Sequence, residues 1–118
     1  MAKKKITVEV VSDVVCPWCY IGKRRLEQAM EMLKDDFEFD VTYGPFELNP
    51  DMPKTGANQR DYLTKKFGSA ARYDQITRHV ASIAREEGLH FDFDKQHVAP
   101  NTRLAHRLLL LAKQSGQQ

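Results

Sequence analysis

Cys16-Pro17-Trp18-Cys19 stands between two short apolar segments, Ile6-Thr7-Val8-Glu9-Val10-Val11 before it and Phe37-Glu38-Phe39-Asp40-Val41-Thr42-Tyr43 after it. The first run, residues 6–11, reads as a strand. The second, residues 37–43, alternates apolar and polar with period two and is ended by Gly44-Pro45, which predicts another strand. Between them, residues 17–34 place Tyr20, Leu26, Met30 and Leu33 near helical spacing, and Asp35-Asp36 breaks the pattern. Strand, helix and strand in this length imply two parallel strands joined by a right-handed crossover. The two cysteines then occupy the turn where the first strand passes into the helix.

They are the only cysteines in the chain. Two thiols at this spacing and in this setting form a dithiol/disulfide switch. The thiolate is the reactive form, and a free cysteine is mostly protonated at neutral pH. A helix N-terminus carries unpaired N–H groups and a partial positive charge, so a thiolate placed there should be stabilised and its pKa should fall. Cys16 lies at the helix mouth and is assigned as the nucleophile. Cys19 lies one turn in and is assigned as the resolving thiol. Pro17 suits the first helical turn, where its missing N–H costs nothing. Trp18 projects between the thiols and can shield them or touch a substrate. Lys23, Arg24 and Arg25 add positive field, weakened by exposure and salt.

Two plainer readings compete. CxxC can be half of a zinc site, but the other half would have to come from His79, His90, His97 and His106. None of these shows finger spacing. A structural disulfide between such near residues closes almost no loop and stabilises little. No metal is expected.

At 118 residues and 42% hydrophobic, the chain can bury one core. Its net charge of +2, from 18 basic and 16 acidic residues, gives no reason to expect nucleic acid or membrane as a partner. Lys3-Lys4-Lys5 reads as a solvated tail, with no apolar stretch of signal length behind it. A cytoplasmic location is therefore expected. A reducing cytosol favours a catalytic over a structural role for a lone CxxC.

Residues 45–56 hold three prolines and Asn49-Pro50-Asp51 and read as an ordered loop. Helical patterning resumes behind Asn58, runs from residue 60 to 67, stops at Gly68, restarts behind Ser69 and continues to Glu87-Gly88. Tyr73, Ile76, Val80, Ile83 and Ala84 form its apolar stripe. Residues 89–93 read as a short extended connection. Pro100-Asn101-Thr102 opens a last helix whose apolar face is expected to be Leu104, Ala105, Leu108, Leu111 and Ala112, with Asn101 as its cap. This divides the chain into a βαβ part at 1–50, with the CxxC site, and a helical region at 51–118. A two-stranded sheet needs helices or partners for stability.

The run Ser12-Asp13-Val14-Val15-Cys16-Pro17-Trp18-Cys19-Tyr20-Ile21-Gly22 resembles the active-site signature of the FrnE-like branch of the DsbA-type thioredoxin-fold oxidoreductases. Pro45-Phe46-Glu47-Leu48-Asn49-Pro50, Phe67-Gly68, Gly88-Leu89 with Phe91-Asp92, and Pro100-Asn101-Thr102 with Ala105-His106-Arg107-Leu108 resemble further family segments in the same order. The resemblance implies an α/β fold: an incomplete thioredoxin-like βαβ unit followed by a helical insertion. It implies thiol–disulfide exchange on a protein or small-molecule thiol or disulfide, with no cofactor unless glutathione serves as co-substrate. Family relatives include glutathione-dependent isomerases and transferases, in which a serine typically replaces the first cysteine. Tyr20 and Phe46, with Trp18, would suit an apolar substrate in a pocket beside the thiols, and under that alternative Asn49, Asn101 and His106 would be the polar groups facing the pocket. His106 reads more simply as a partly buried helix residue with a satisfied hydrogen bond.

The family's C-terminal part completes the sheet and carries a cis-proline loop beside the CxxC. None of Pro17, Pro45, Pro50, Pro53 and Pro100 sits where that loop would be. The chain is therefore expected to be a truncated family member that pairs with a second copy across its open edge, with a non-catalytic fragment as the alternative.

Overall fold

A computed structural model describes residues 2–118. Two strands form first along the chain. β1 (Lys4–Ser12) lays Ile6, Val8 and Val10 on a half-buried face and Lys5, Thr7, Glu9 and Val11 on an exposed one. β2 (Phe37–Pro45) does the same with Phe37, Phe39 and Val41. The two pair in parallel, Ile6 opposite Phe39 and Val10 opposite Tyr43. Both strands are longer than the sequence predicts. Lys4 and Lys5, expected in a solvated tail, are part of β1 and pair with Phe37 and Glu38. Pairing with a partner strand outweighs their poor strand propensity.

The crossover between parallel strands is α1 (Pro17–Met32). Its anchor is Ile21, which is fully buried, with Leu26 and Met30 half-buried behind it. Tyr20 and Leu33, expected on the same stripe, are exposed. The turn after Leu33 is closed by the Asp36 and Phe37 N–H groups, both donating to the Leu33 carbonyl, and delivers the chain to β2.

The next three segments follow the punctuation of the sequence. α2 (Gln59–Phe67) is capped by the Asn58 side chain, which accepts from the Asp61 N–H at 2.9 Å. It ends at Gly68, whose φ of 106° is a left-handed conformation that glycine adopts without a Cβ clash. α3 (Ala70–Glu86) is capped by Ser69 and buries Tyr73, Val80 and Ala84, the stripe expected from the sequence. The return from α3 passes through a short 3-10 turn at Phe93–Lys95. A two-residue ladder then pairs β3 (Ala57–Asn58) with β4 (Val98–Ala99) in antiparallel fashion. No periodicity could show a ladder this short.

The last helix, α4 (Arg103–Gln114), presents a different face from the one expected. His106 is buried and Ala105, Leu109 and Ala112 are half-buried, while Leu104, Leu108 and Leu111 are exposed. Seven apolar residues in twelve leave more than one possible stripe. A buried polar contact made by His106 selects the one that is covered.

The chain forms two compact units. Residues 2–48 and Thr102–Gln118 make the first, with β1, α1, β2 and α4. Asn49–Asn101 makes the second, with α2, α3 and the β3–β4 ladder. A division at residue 50 assigns α4 to the helical region. The structure instead groups α4 with the strands, because its tertiary contacts are with β2.

Candidate active site

β1 stops at Ser12, and the chain turns before α1 begins. The turn is held by one backbone bond, the Cys16 N–H donating to the Asp13 carbonyl at 3.1 Å. Cys16 is the N-cap of α1, with extended backbone angles of φ −83° and ψ 115°. Pro17 occupies the first turn, its fixed φ matching the helix. The Cys16 carbonyl accepts from the N–H groups of Cys19 at 3.1 Å and Tyr20 at 3.3 Å. The two cysteines lie 3.4 Å apart. Both are half-buried, and no disulfide joins them. A disulfide bond is about 2.05 Å long, so the pair needs only a small approach to close.

Burial pushes the Cys16 thiol above its ordinary pKa. The backbone N–H groups of Cys19 and Trp18 pull it down, and the Cys19 thiol pushes it up again. This corrects the expectation of a lowered value. The helix mouth is formed and its N–H groups do favour the thiolate, but desolvation of a half-buried sulfur is the larger effect.

A cavity of about 290 Å³ opens beside the thiols. Cys16 and Cys19 share its lining with Tyr20, Lys23, Tyr43 and His106, and Leu109 and Leu110 supply apolar wall from α4. Lys23 does not act there as a free cation, because its ammonium is paired with Glu27 one turn along. At the far side, the Gln118 amide bridges Tyr43. It accepts from the Tyr43 N–H and donates to the Tyr43 carbonyl, both at 2.7 Å.

Against the turn lies a buried polar cluster. Asp13 is 3% exposed and His106 5% exposed, and their side chains meet at 3.0 Å through His106 Nε2. The other Asp13 oxygen accepts from the Leu48 N–H at 2.9 Å. The Thr102 hydroxyl also bonds this carboxylate. Burial alone would raise the Asp13 pKa, but the Leu48 N–H, Thr102 and His106 together hold it below the ordinary carboxylate value. Asp13 is therefore ionised, and it joins the turn before Cys16, the segment after β2 and the start of α4.

The structure thus brings Cys16, Cys19, Tyr20 and His106 together around one cavity. His106 has the satisfied hydrogen bond expected of it, and the partner is Asp13. Trp18 is exposed on the first turn of α1. Phe46 is expected at the pocket but is not among its lining residues. Its backbone N–H extends the pairing to Ser12, and its ring is exposed. Asn49 and Asn101 are engaged within the second unit. Asn49 accepts from the Tyr62 hydroxyl and the Lys66 ammonium. Asn101 Nδ2 donates to the Met52 carbonyl at 2.7 Å and is not the N-cap of α4, a position held by Thr102. Asp13 belongs to the run before the cysteines. Its one sequence signal is an acidic residue at the end of an apolar strand, and nothing in the chain links it to residue 106.

Comparison with known proteins gives this geometry a family. Residues 7–118 match the model of the DSBA-like thioredoxin domain. The crystal structure of a probable DsbA oxidoreductase from Streptomyces coelicolor superposes with a TM-score of 0.79 at 35% sequence identity, covering 93% of this chain and 47% of that one. The Bacillus subtilis (strain 168) protein YwbO, itself uncharacterised, is 26% identical over 113 residues, covering 84% of this chain and 54% of YwbO. The chain spans about half the length of both relatives. A parallel strand pair with a paired-cysteine turn at the mouth of its crossover helix, and a family match over nearly all its length, make this chain a member of the DSBA-like thioredoxin domain family.

Proposed function

We propose that this chain is a thiol–disulfide oxidoreductase of the FrnE-like branch, with Cys16 as nucleophile and Cys19 as resolving thiol. The observation that carries the reading is the cysteine pair, 3.4 Å apart at the N-terminus of α1. The cavity beside it supports the same reading.

In the direction that reduces the substrate, the Cys16 thiolate attacks one sulfur of a substrate disulfide. A new S–S bond joins Cys16 to the substrate, and the second substrate sulfur leaves as a thiolate that takes up a proton. Cys19 then loses its proton and attacks the Cys16 sulfur. The Cys16–Cys19 disulfide forms as the bond from Cys16 to the substrate breaks, and the substrate sulfur first attacked departs as a thiolate that takes up a proton. The protein is oxidised by two electrons and the substrate reduced by two, and the reverse sequence oxidises a dithiol. The apolar cavity walls suit a protein thiol or a small disulfide, glutathione disulfide among them, as the exchange partner. No helix among the described residues is long and apolar enough to cross a membrane.

The outer edge of β1 has no strand partner among the described residues, and an apolar row lies exposed on α4. A second copy of the chain is the cover we assign to these faces. Insulin reduction and dithiol oxidation assays test the chemistry. Cys16→Ser is expected to abolish turnover and Cys19→Ser to accumulate a mixed disulfide visible by mass spectrometry. Full turnover in Cys16→Ser would remove this assignment and favour a glutathione-dependent transferase or isomerase.

A further inference from the structure

Besides Asp13, four titratable side chains line the dithiol's cavity without a part in the exchange just described: Tyr20, Lys23, Tyr43 and His106. Lys23 is committed to Glu27. His106 differs from the rest in being nearly fully buried and bound to a buried carboxylate.

Asp13 is ionised and accepts on both oxygens, so the ring nitrogen facing it must carry hydrogen. That fixes Nε2 as a donor whatever the charge of the ring. The proton that His106 can gain or lose is therefore the one on Nδ1. Histidine is the side chain whose charge ordinarily changes near neutral pH. With a neutral ring, the Asp13–His106 pair places one net negative charge beside the dithiol turn. With a protonated ring, the pair is neutral. A net negative charge disfavours a second anion nearby, and its removal favours one.

The same Asp13 also accepts the Cys16 N–H through its backbone carbonyl. One residue thus fixes both the nucleophile's turn and the ring that shares its cavity. We propose that His106, held in place by Asp13 as a positioning residue, is the cation that accompanies the Cys16 thiolate, so that protonation of the ring and ionisation of the thiol favour each other. This rests on Cys16 being the reactive thiol of the proposed exchange. The proton count is closed: thiolate formation releases one proton, uptake at Nδ1 takes one, and no electrons move.

Coupling between two ionisations is reciprocal, so it can be read from the ring instead of the sulfur. The Cys19→Ser chain is alkylated at Cys16 with iodoacetate in one sample and iodoacetamide in the other. The two adducts are nearly the same size, but the first carries a negative charge where the thiolate would be and the second carries none. The ring resonances of all four histidines are then followed by NMR against pH. The other groups facing the site are Tyr20, Lys23 with Glu27, Tyr43, Asp13 and, beyond Thr102, Arg103 with Glu47. All are the same in both samples and cancel in the comparison.

The expected result is a His106 midpoint higher in the carboxymethyl adduct by roughly half a pH unit or more, a fraction of what a contact pair produces. His79, His90 and His97 are expected at equal midpoints in both. Equal His106 midpoints, or a shift shared by all four rings, would overturn the proposal. Turnover is not measured, so the failure of this coupling and the failure of the oxidoreductase assignment are separate results.

Discussion

The second unit closes a core of its own, and the first does not. In Asn49–Asn101, Met52, Tyr73, Val80, Ala84, Leu89 and Ala99 are all buried. In the first unit, Ile21 is the one buried large apolar side chain among the described residues, and it is accompanied by the polar Asp13, Thr102 and His106. Exposure shows the reverse. Every exposed large hydrophobic side chain among the described residues except Val98 belongs to the first unit. The unit that holds the dithiol therefore relies on a polar cluster and a two-stranded parallel ladder, and it presents apolar surface to a cover or a substrate. The unit without the dithiol is held by ordinary apolar burial. Stability and chemistry are separated along the chain, and this separation can be tested.

The largest effect is expected in the second unit. Tyr73→Ala removes a buried ring that Arg60 also covers, with its guanidinium 5.2 Å from the ring centre. Truncating a buried aromatic typically costs about 3–5 kcal/mol. That is a large share of the 5–15 kcal/mol that holds a typical domain folded. Urea unfolding followed by circular dichroism is expected to show a loss of that size. A loss below about 1 kcal/mol would mean that the apolar core of this unit is not what holds it.

In the first unit the corresponding test is electrostatic. Asp13→Asn keeps the shape of the side chain and removes the charge that His106, Thr102 and the Leu48 N–H are arranged to meet. Breaking one partner of a buried pair typically costs about 3–5 kcal/mol, and the retained amide should place this change at the lower end. The pH dependence gives a signature that apolar truncation cannot. The Asp13 pKa is lower folded than unfolded. Its contribution is therefore fully present above the unfolded value of about 3.9, and it is lost as pH falls through the folded value. Acid titration of the parent chain is expected to show stability falling below about pH 4, with that component absent in Asp13→Asn. Parallel acid curves for the two would show that Asp13 carries no such contribution.

The parts of the molecule legible in the sequence are those set by local chemistry. The Asn58 and Ser69 caps, the stop at Gly68 and the Tyr73–Val80–Ala84 stripe all follow from short-range rules, and the structure has each of them. The parallel strand pair was equally readable, because period-two alternation in residues 37–43 and the helix before it leave few other arrangements. What stayed hidden depends on distant partners. The face of α4 is chosen by a bond between residues 13 and 106, and no pattern within α4 favours His106 and Leu109 over Leu104 and Leu108. The position of Cys16 was readable, whereas the direction of its pKa shift depends on how far the fold buries the sulfur.

The smallest effect on stability is expected where the contrast between the units is most visible, on the outer face of α4. Leu104, Leu108 and Leu111 are 74%, 66% and 62% exposed and follow one another at helical spacing. Replacing all three by Ser removes little buried area, so each is expected to move folding stability by no more than about 0.5 kcal/mol. Serine is a slightly poorer helix former than leucine, which sets the sign as weakly destabilising. Association is the property that should respond. A row of leucines on a solvent-facing helix is favourable surface for a second copy, and its removal takes that surface away. Sedimentation velocity at tens of micromolar protein is expected to show self-association in the parent chain and a monomer in the triple variant. A parent chain that sediments as a monomer would eliminate the second copy as the cover of this face. A triple variant that associates as strongly as the parent would move the contact to the open edge of β1, where backbone groups rather than leucines would carry it.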